Sequence, residues 1–370
     1  MRILQVVTLL SPDGAYGGPV RVAMNQSREL LRRGHDVTIL ATTRGYPQPP
    51  TQLQGVPLKL FAAHTLIPHT GFAGTGSLSL RRWIHSNLTA FDITHIHLAR
   101  DLVVLPVAVE ARRIRTPYVL QTHGMVVPSR HPLAAPLDAM WTRKVLTGAG
   151  ALFYLTPTER AQLLAVARSD LRLRALANGV PDYPRTTPSG QPPEVLFVAR
   201  LHRRKRPLAF VEMAKTLLAA GVQARFTLIG PDGGDGAAVR LAIGGDPRIV
   251  WQGPLAPDAI PERMASASVY VLPSVDEPYP MSVLEAMSVG VPVVICADCG
   301  LAGIVARTGC GVVVNHEIAP LAAAVAAILD DTRVAREMGD RARAAAHDEL
   351  GMQSVADSLL DTYAEVVDRQ

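Results

Sequence analysis

The stretch Val269-Tyr-Val-Leu272-Pro-Ser-Val-Asp276-Glu277-Pro-Tyr-Pro280-Met281-Ser282-Val-Leu-Glu285-Ala-Met-Ser-Val-Gly290-Val-Pro-Val-Val-Ile295 decides the fold. Residues 269–272 form a short apolar run that reads as a buried strand, and residues 291–295 read as another. Between them Pro280 suits the opening of a helix, where its missing N–H is not needed. The same alternation runs outward in both directions. In the first half, strands are expected at residues 3–8, 36–41, 58–61, 93–97, 118–121 and 151–154. Val20, Ala23, Met24, Ser27, Leu30 and Leu31 recur at helical spacing, and residues 103–113 and 136–146 read as helices. In the second half, strands are expected at 195–199, 226–229, 249–252, 269–272, 291–295 and 311–314, with helices opening near Pro207, Pro257, Pro280 and Pro320. Strands separated by helices call for a parallel sheet covered on both faces.

Residues 181–193 interrupt the alternation with five prolines in thirteen residues. Such a run continues neither a helix nor a central strand, so a domain boundary is expected there. The chain of 370 residues, 48% hydrophobic and 19% charged, suits two domains of about 150–200 residues each. Disordered and collagenous classes are excluded. No apolar run approaches the ~18 residues of a membrane span, and residues 1–7 read as a first strand rather than a signal peptide. Three cysteines imply no disulfide framework, and a cytoplasmic location is expected.

The net charge of +5 hides an asymmetry. Residues 1–180 hold 20 Lys+Arg against 9 Asp+Glu, a net of +11; residues 181–370 hold 17 against 23, a net of −6. A basic first half suggests an anionic partner. Arg81-Arg82-Trp83, Arg112-Arg113 and Arg143-Lys144 make peripheral contact with an anionic membrane an expectation. Nucleic acid is not expected as a partner, since aromatic content is 5% and no aromatic stripe lies among the basic residues.

The chemistry-bearing residues sit at expected strand ends. No Walker-type loop and no G-x-G-x-x-G follow a strand; the first strand leads instead to Gly14-Ala-Tyr-Gly17-Gly18-Pro19. Such a turn can bring backbone N–H groups to an anion. Arg200-Leu-His-Arg-Arg-Lys205 follows the strand at 195–199 and offers cations for a phosphate. Glu277 and Glu285 flank the helix start at Pro280, where the N–H groups of Met281 and Ser282 lack intrahelical partners. Carboxylates beside such a start suit the hydroxyls of a sugar nucleotide. His95-Ile-His97 and Cys296-Ala-Asp-Cys299 could each be half of a metal site, but no second half is evident, and Asp-x-Asp is absent.

Glu277 and Glu285 match the E-x7-E element of glycosyltransferase family 4, and the run around them resembles that family throughout. So do Phe197-Val-Ala-Arg200-Leu-His-Arg-Arg-Lys205, Gly17-Gly18-Pro19, Gln121-Thr-His123-Gly-Met125 and Asn178-Gly-Val180, in order, across residues 1 to about 315. The resemblance implies the GT-B fold: two facing Rossmann-like doubly wound α/β domains with a cleft between them. The expected domains are 1–180, acceptor-side, and 194–350, donor-binding, joined by the linker 181–193, with a helix at about 351–370 crossing back to the first.

The resemblance also implies roles. Arg200 and Lys205 would neutralise the donor diphosphate, Glu285 would bind ribose hydroxyls, and Glu277 would contact the transferred sugar. The Met281 and Ser282 amides would hold the distal phosphate, and Gly17 and Gly18 would let the backbone approach it. His123 would sit near the anomeric carbon; His123, Glu277, Arg200 and Lys205 are the expected catalytic residues. The implied reaction is retaining, metal-independent and cofactor-free transfer from a UDP- or GDP-linked sugar to a glycan, lipid-linked or small-molecule acceptor. A cell-envelope or polysaccharide pathway is expected. A sugar-nucleotide epimerase or hydrolase on the same fold is the rival reading, and a non-enzymatic nucleic-acid-binding protein a more distant one. Where the family usually has glycine-aromatic-glycine after the first glutamate, this chain has Pro278-Tyr279-Pro280.

Overall fold

The computed structural model describes residues 1–12, 17–67, 71–184 and 192–369; Gly14 and residues 185–191 of the proline-rich stretch lie outside the described residues. The chain divides into two units, Met1–Gly179 with Met352–Gln370, and Val180–Gly351.

The first unit is built on an eight-stranded sheet. Its order is Leu173–Ala175, Ala151–Tyr154, Tyr118–Gln121, Ile93–His97, Arg2–Leu10, Asp36–Thr43, Val56–Ala62 and Gln52–Leu53. All neighbours are parallel except the last pair, a short hairpin. Ile3, Leu4, Val6 and Val7 are fully buried, as a central parallel strand covered on both faces requires. Leu173–Ala175 escapes sequence reading because three residues, with Arg174 in their middle and Arg172 before them, carry no apolar run.

The second unit holds six strands, all parallel: Ile249–Trp251, Arg225–Ile229, Glu194–Val198, Val269–Leu272, Val293–Cys296 and Gly311–Val314. The strand expected at 291–295 begins two residues later, because Pro292 has no N–H to give the ladder. The helix after Pro280 spans Met281–Ser288, with Pro280 as its cap rather than its first residue. Residues 181–183 are pinned to this unit: Ser288 donates to the Pro181 carbonyl at 2.7 Å, and Arg343 binds the Tyr183 carbonyl and the Asp182 carboxylate, each at 2.8 Å.

The helix expected at 136–146 is interrupted. It runs as Ala134–Leu137, a π-helical turn over Asp138–Thr142, and Arg143–Gly148. Asp138 opens the wide turn and takes both ends of the Arg100 guanidinium, at 2.8 and 2.9 Å.

The last helix, Met352–Asp368, packs on the first unit. Met352, Val355, Leu359, Tyr363 and Val366 fall on one face, at spacings of three and four. That face closes a core with Ile3, Val37, Ile93, Val119 and Phe153. Arg33 ties the helix down by pairing with Asp357 and by donating to the Gln353 carbonyl at 2.8 Å. A Leu359→Ala substitution should therefore cost about 2–5 kcal/mol in urea unfolding followed by a first-unit probe. A loss well under 1 kcal/mol would show that the helix is not part of that core.

Candidate functional site

In each unit the strand order reverses beside one strand, and ligands of doubly wound sheets bind at the carboxyl end of such a reversal. In the second unit the reversal lies between Glu194–Val198 and Val269–Leu272. The loops leaving these two strands, 199–206 and 273–280, carry Arg200, Lys205 and Glu277. They are laced together. Val275 N–H donates to the Arg204 carbonyl at 2.8 Å, Arg204 donates to the Asp276 carbonyl at 2.6 Å, and Arg206 donates to the Pro273 carbonyl at 3.2 Å. Lys205 Nζ is ion-paired with Glu277 Oε2, although the two residues lie 72 positions apart. Glu277 is buried, its backbone carbonyl taking the Gly300 N–H at 2.8 Å.

Asp276, just before it, is left-handed at φ 48°, a conformation a non-glycine residue holds only when its surroundings enforce it. Asp298 is the enforcing group: its carboxylate accepts the Asp276 N–H at 2.7 Å. Arg200 is exposed at the mouth of the loop, its stem lying over Gly233. A Cβ at Gly233 would meet Arg200 Cγ at 2.6 Å, and one at Gly230 would strike the Ala199 carbonyl at 2.0 Å. These two glycines and Asp298 went unnoticed in the sequence; Gly-Pro-Asp-Gly after a strand was the signal available.

Met281 and Ser282 open their helix beside this loop pair. The Ser282 hydroxyl is 2.7 Å from the Tyr270 phenol, which also reaches the Val198 carbonyl at 3.1 Å. Burial pushes the Tyr270 phenol far above its usual range, and the nearby charges of Glu285 and Glu277 push it further. Glu285 is 1% exposed, below the surface that Met281 and Ser282 present. Lys205, Glu277, Met281, Ser282 and Glu285 thus gather in one unit near one helix start, with Arg200 on the loop that carries Lys205.

His123, Gly17 and Gly18 belong to the first unit. The helix Gly17–Arg32 begins at these glycines, and a Cβ at Gly18 would meet no atom of the described residues within 4 Å. Packing within the unit therefore does not demand glycine there. His123 is left-handed at φ 50°, followed by Gly124 at φ 72°. Glu159 grips this turn: its carboxylate accepts from Thr122 Oγ1 at 2.5 Å, Gly124 N at 2.6 Å and Leu155 N at 2.7 Å. Glu159 was also missed in the sequence.

The first unit's reversal, between Arg2–Leu10 and Ile93–His97, holds a stack of imidazoles. The His95 and His97 rings are 4.7 Å apart, and those of His97 and His123 5.0 Å. His97 Nδ1 lies 2.7 Å from His123 Nε2, and His95 Nδ1 lies 2.6 Å from the Tyr363 hydroxyl of the last helix. Burial pulls His95 down to about 3 and His123 to about 4, and holds His97 well below its usual value. The three rings are therefore neutral at pH 7. No cluster of three potential metal ligands occurs among the described residues, and Cys296 and Cys299 are buried thiols that burial raises to about 11 and about 12.

Both halves of the chain match known families: residues 17–179 a glycosyl transferase 4-like domain, and residues 182–345 the glycosyl transferases group 1. The chain belongs to glycosyltransferase family 4. Its relatives within the glycosyltransferases include the 2-deoxystreptamine glucosyltransferase of Streptomyces kanamyceticus, 27% identical over 78% of this chain and 80% of that one. The D-inositol 3-phosphate glycosyltransferase of Xylanimonas cellulosilytica is 26% identical over 96% and 94% of the two chains. Among solved structures, Anabaena HepE in complex with UDP and glucose superposes with a TM-score of 0.77 at 18% identity, over 98% of this chain and 99% of that one. This family 4 glycosyltransferase thus has the GT-B fold.

The neutral histidines carry a pH signature. A histidine whose folded pKa is depressed stabilises the fold above its unfolded pKa of about 6.5, and that stability drains as pH falls toward the folded value. Asp101 opposes this. Burial raises it to about 6 despite hydrogen bonds from Thr8, Val103 and Val104, so its protonation favours the fold as pH falls. Three histidines against one aspartate leave a net loss. Each histidine withdraws about 1.4 kcal/mol for every pH unit between its unfolded and folded values, so stability should fall by several kcal/mol from about pH 6.5 to about pH 4. His95→Phe should flatten the slope, as read by urea unfolding across that range; an unchanged slope would remove His95 from the account.

Proposed function

We propose that this family 4 glycosyltransferase transfers a sugar from a nucleoside diphosphate donor, UDP- or GDP-linked, with retention at the anomeric carbon and without a metal ion. The observation that carries the reading is the convergence of Arg200, Lys205, Glu277 and the Met281–Ser288 helix start at the strand-order reversal of the second unit. Breaking a sugar–diphosphate bond builds negative charge on the leaving phosphate. Fixed cations and helix-end N–H groups stabilise that charge as it grows. Lys205 is held by Glu277, so it is already aimed along the loop pair when a diphosphate arrives. Released from Lys205, the Glu277 carboxylate is free to accept sugar hydroxyls. His123 serves as a hydrogen-bonding partner of the sugar rather than as a nucleophile, its Nε2 being engaged with His97 within its own unit.

The relatives are named for 2-deoxystreptamine and D-inositol 3-phosphate, and HepE was solved with UDP and glucose. These names support a small hydroxylated acceptor; lipid-linked and glycan acceptors of an envelope or polysaccharide pathway are the wider class. Peripheral membrane contact is part of the proposal for the first unit, in which Leu133, Met140, Trp141 and Lys144 are exposed. No helix among the described residues is long and apolar enough to cross a membrane.

Thermal unfolding with UDP, GDP, ADP and dTDP in EDTA tests the donor site. One nucleotide at a hundred times its dissociation constant should add about 2.7 kcal/mol of stability, lost in Arg200→Ala and in Glu285→Ala. No shift with any nucleotide sinks the reading. With the matching sugar nucleotide, Lys205→Ala should lower kcat about 10²–10³-fold. Gly18→Ala should fold as the wild type does, because no described residue lies within 4 Å of the added Cβ, and should lose turnover, the methyl standing where the family resemblance brings this backbone to the phosphate. NMR of the product should show the donor's anomeric configuration; inversion would overturn retention.

A further inference from the structure

Four loops leave the carboxyl edge of the second unit's sheet side by side, after Glu194–Val198, Val269–Leu272, Val293–Cys296 and Gly311–Val314. Side chains stitch them into a belt. Arg206, on the first loop, donates to the Pro273 carbonyl of the second at 3.2 Å and to the His316 carbonyl of the fourth at 2.7 Å. His316 Nε2 stands 3.3 Å from Asp298 Oδ2 on the third. That same oxygen accepts the Asp276 N–H of the second loop at 2.7 Å, and Arg204 of the first donates to the Asp276 carbonyl at 2.6 Å.

The belt closes on one residue. Both peptide groups that flank Asp276 are held, one through its N–H and the other through its carbonyl. Asp276 is thereby kept at φ 48°, although its own side chain is exposed. A non-glycine residue left to itself favours negative φ, so this hold is what maintains the turn. Glu277 comes next and is gripped from the same side, its carbonyl taking the Gly300 N–H at 2.8 Å. The turn after Val293–Cys296 thus holds the Asp276-Glu277 pair from both ends, through Asp298 and through Gly300. Rotation of Asp276 to ordinary φ would redirect Glu277, whose carboxylate is ion-paired to Lys205 of the first loop. Arg204 shares its loop with Lys205, so Asp298 is the link that a substitution removes without disturbing the cations.

We propose that Asp298 is a positioning residue for sugar transfer: by keeping Asp276 left-handed it fixes the direction in which Glu277 presents its carboxylate, and so governs the binding and turnover of the sugar while leaving the nucleotide alone. The inference rests on the reading of Glu277 as a sugar contact given above. Misplacing a contact by about 1 Å is enough to slow a reaction about a hundredfold.

The test is isothermal titration of the full chain with UDP, UDP-glucose, UDP-N-acetylglucosamine, GDP and GDP-mannose, followed by hydrolysis of the sugar nucleotide that binds best, water standing in for the acceptor. Asp298→Ala should bind the free nucleotide within about twofold of the wild type. It should bind the sugar nucleotide about fivefold more weakly, the worth of one ordinary hydrogen bond, and hydrolyse it about tenfold or more slower. Asp298→Asn, whose amide oxygen accepts the same N–H, should restore both. Asp276→Gly, at ease at positive φ, should make Asp298→Ala nearly silent, a coupling that a packing defect at Asp298 would not show. Should Asp298→Ala not fold, Asp298→Glu, which keeps the charge and moves the acceptor by one methylene, should show the same split. Equal weakening of nucleotide and sugar nucleotide, no weakening of either, or no recovery in Asp298→Asn overturns the proposal alone. A wild type that binds none of these nucleotides overturns the donor reading, and this inference with it.

Discussion

The molecule depends on one topological constraint, met twice. A right-handed crossover from one parallel strand to the next places its helix on a fixed face, so a sheet that grows both ways from one strand must be wound oppositely on its two sides. At the reversal the connecting loops leave in opposite directions and open a crevice. The reversals lie beside Arg2–Leu10 and Ile93–His97 in one unit, and beside Glu194–Val198 and Val269–Leu272 in the other. The chemistry-bearing residues cluster at these two places. The histidine stack grows from the first reversal, and the Lys205–Glu277 pair bridges the loops of the second.

The two crevices use opposite electrostatics. The second is a site of charges, in which Lys205 and Glu277 neutralise one another. The first sets neutral imidazoles and buried amides beside one carboxylate, Asp101, which accepts the Thr8 hydroxyl across the reversal. Buried polar networks of this kind are costly if incompletely satisfied and specific if complete. Here His95 Nε2 is buried without a hydrogen-bond partner, whereas both nitrogens of the half-buried His123 have one.

Much of the fold was legible because buried parallel strands read as plain apolar runs. Residues 93–97, 118–121, 151–154, 269–272 and 311–314 are strands with the expected limits. Lys205 and Glu277 could each be placed at a strand end, but their pairing needed the strand order, which local sequence does not encode. The hydrogen-bonded row of Gln5, Gln26 and Gln121 was hidden for a different reason. Glutamine has no periodic or charge signature, and Gln5, Gln26 and Gln121 look like ordinary polar residues until the strands bring them together. Tyr363 stands 268 positions from His95, in a tail whose apolar spacing announces a helix but not its destination.

The path of the chain between the units has a consequence for its biosynthesis. Residues 180–351 are continuous, and their unit holds all the chain it needs once they have been made. The first unit begins earlier and is completed later. From Gly179 onward its sheet waits, with the faces of Ile3, Val37, Val119 and Phe153 uncovered, until residues 352–368 emerge and lay Leu359 and Tyr363 across them. During synthesis the unit that starts first is thus the last to close. The ribosome must finish an entire second unit while an apolar surface of the first stays open, the condition in which nascent chains need protection from aggregation.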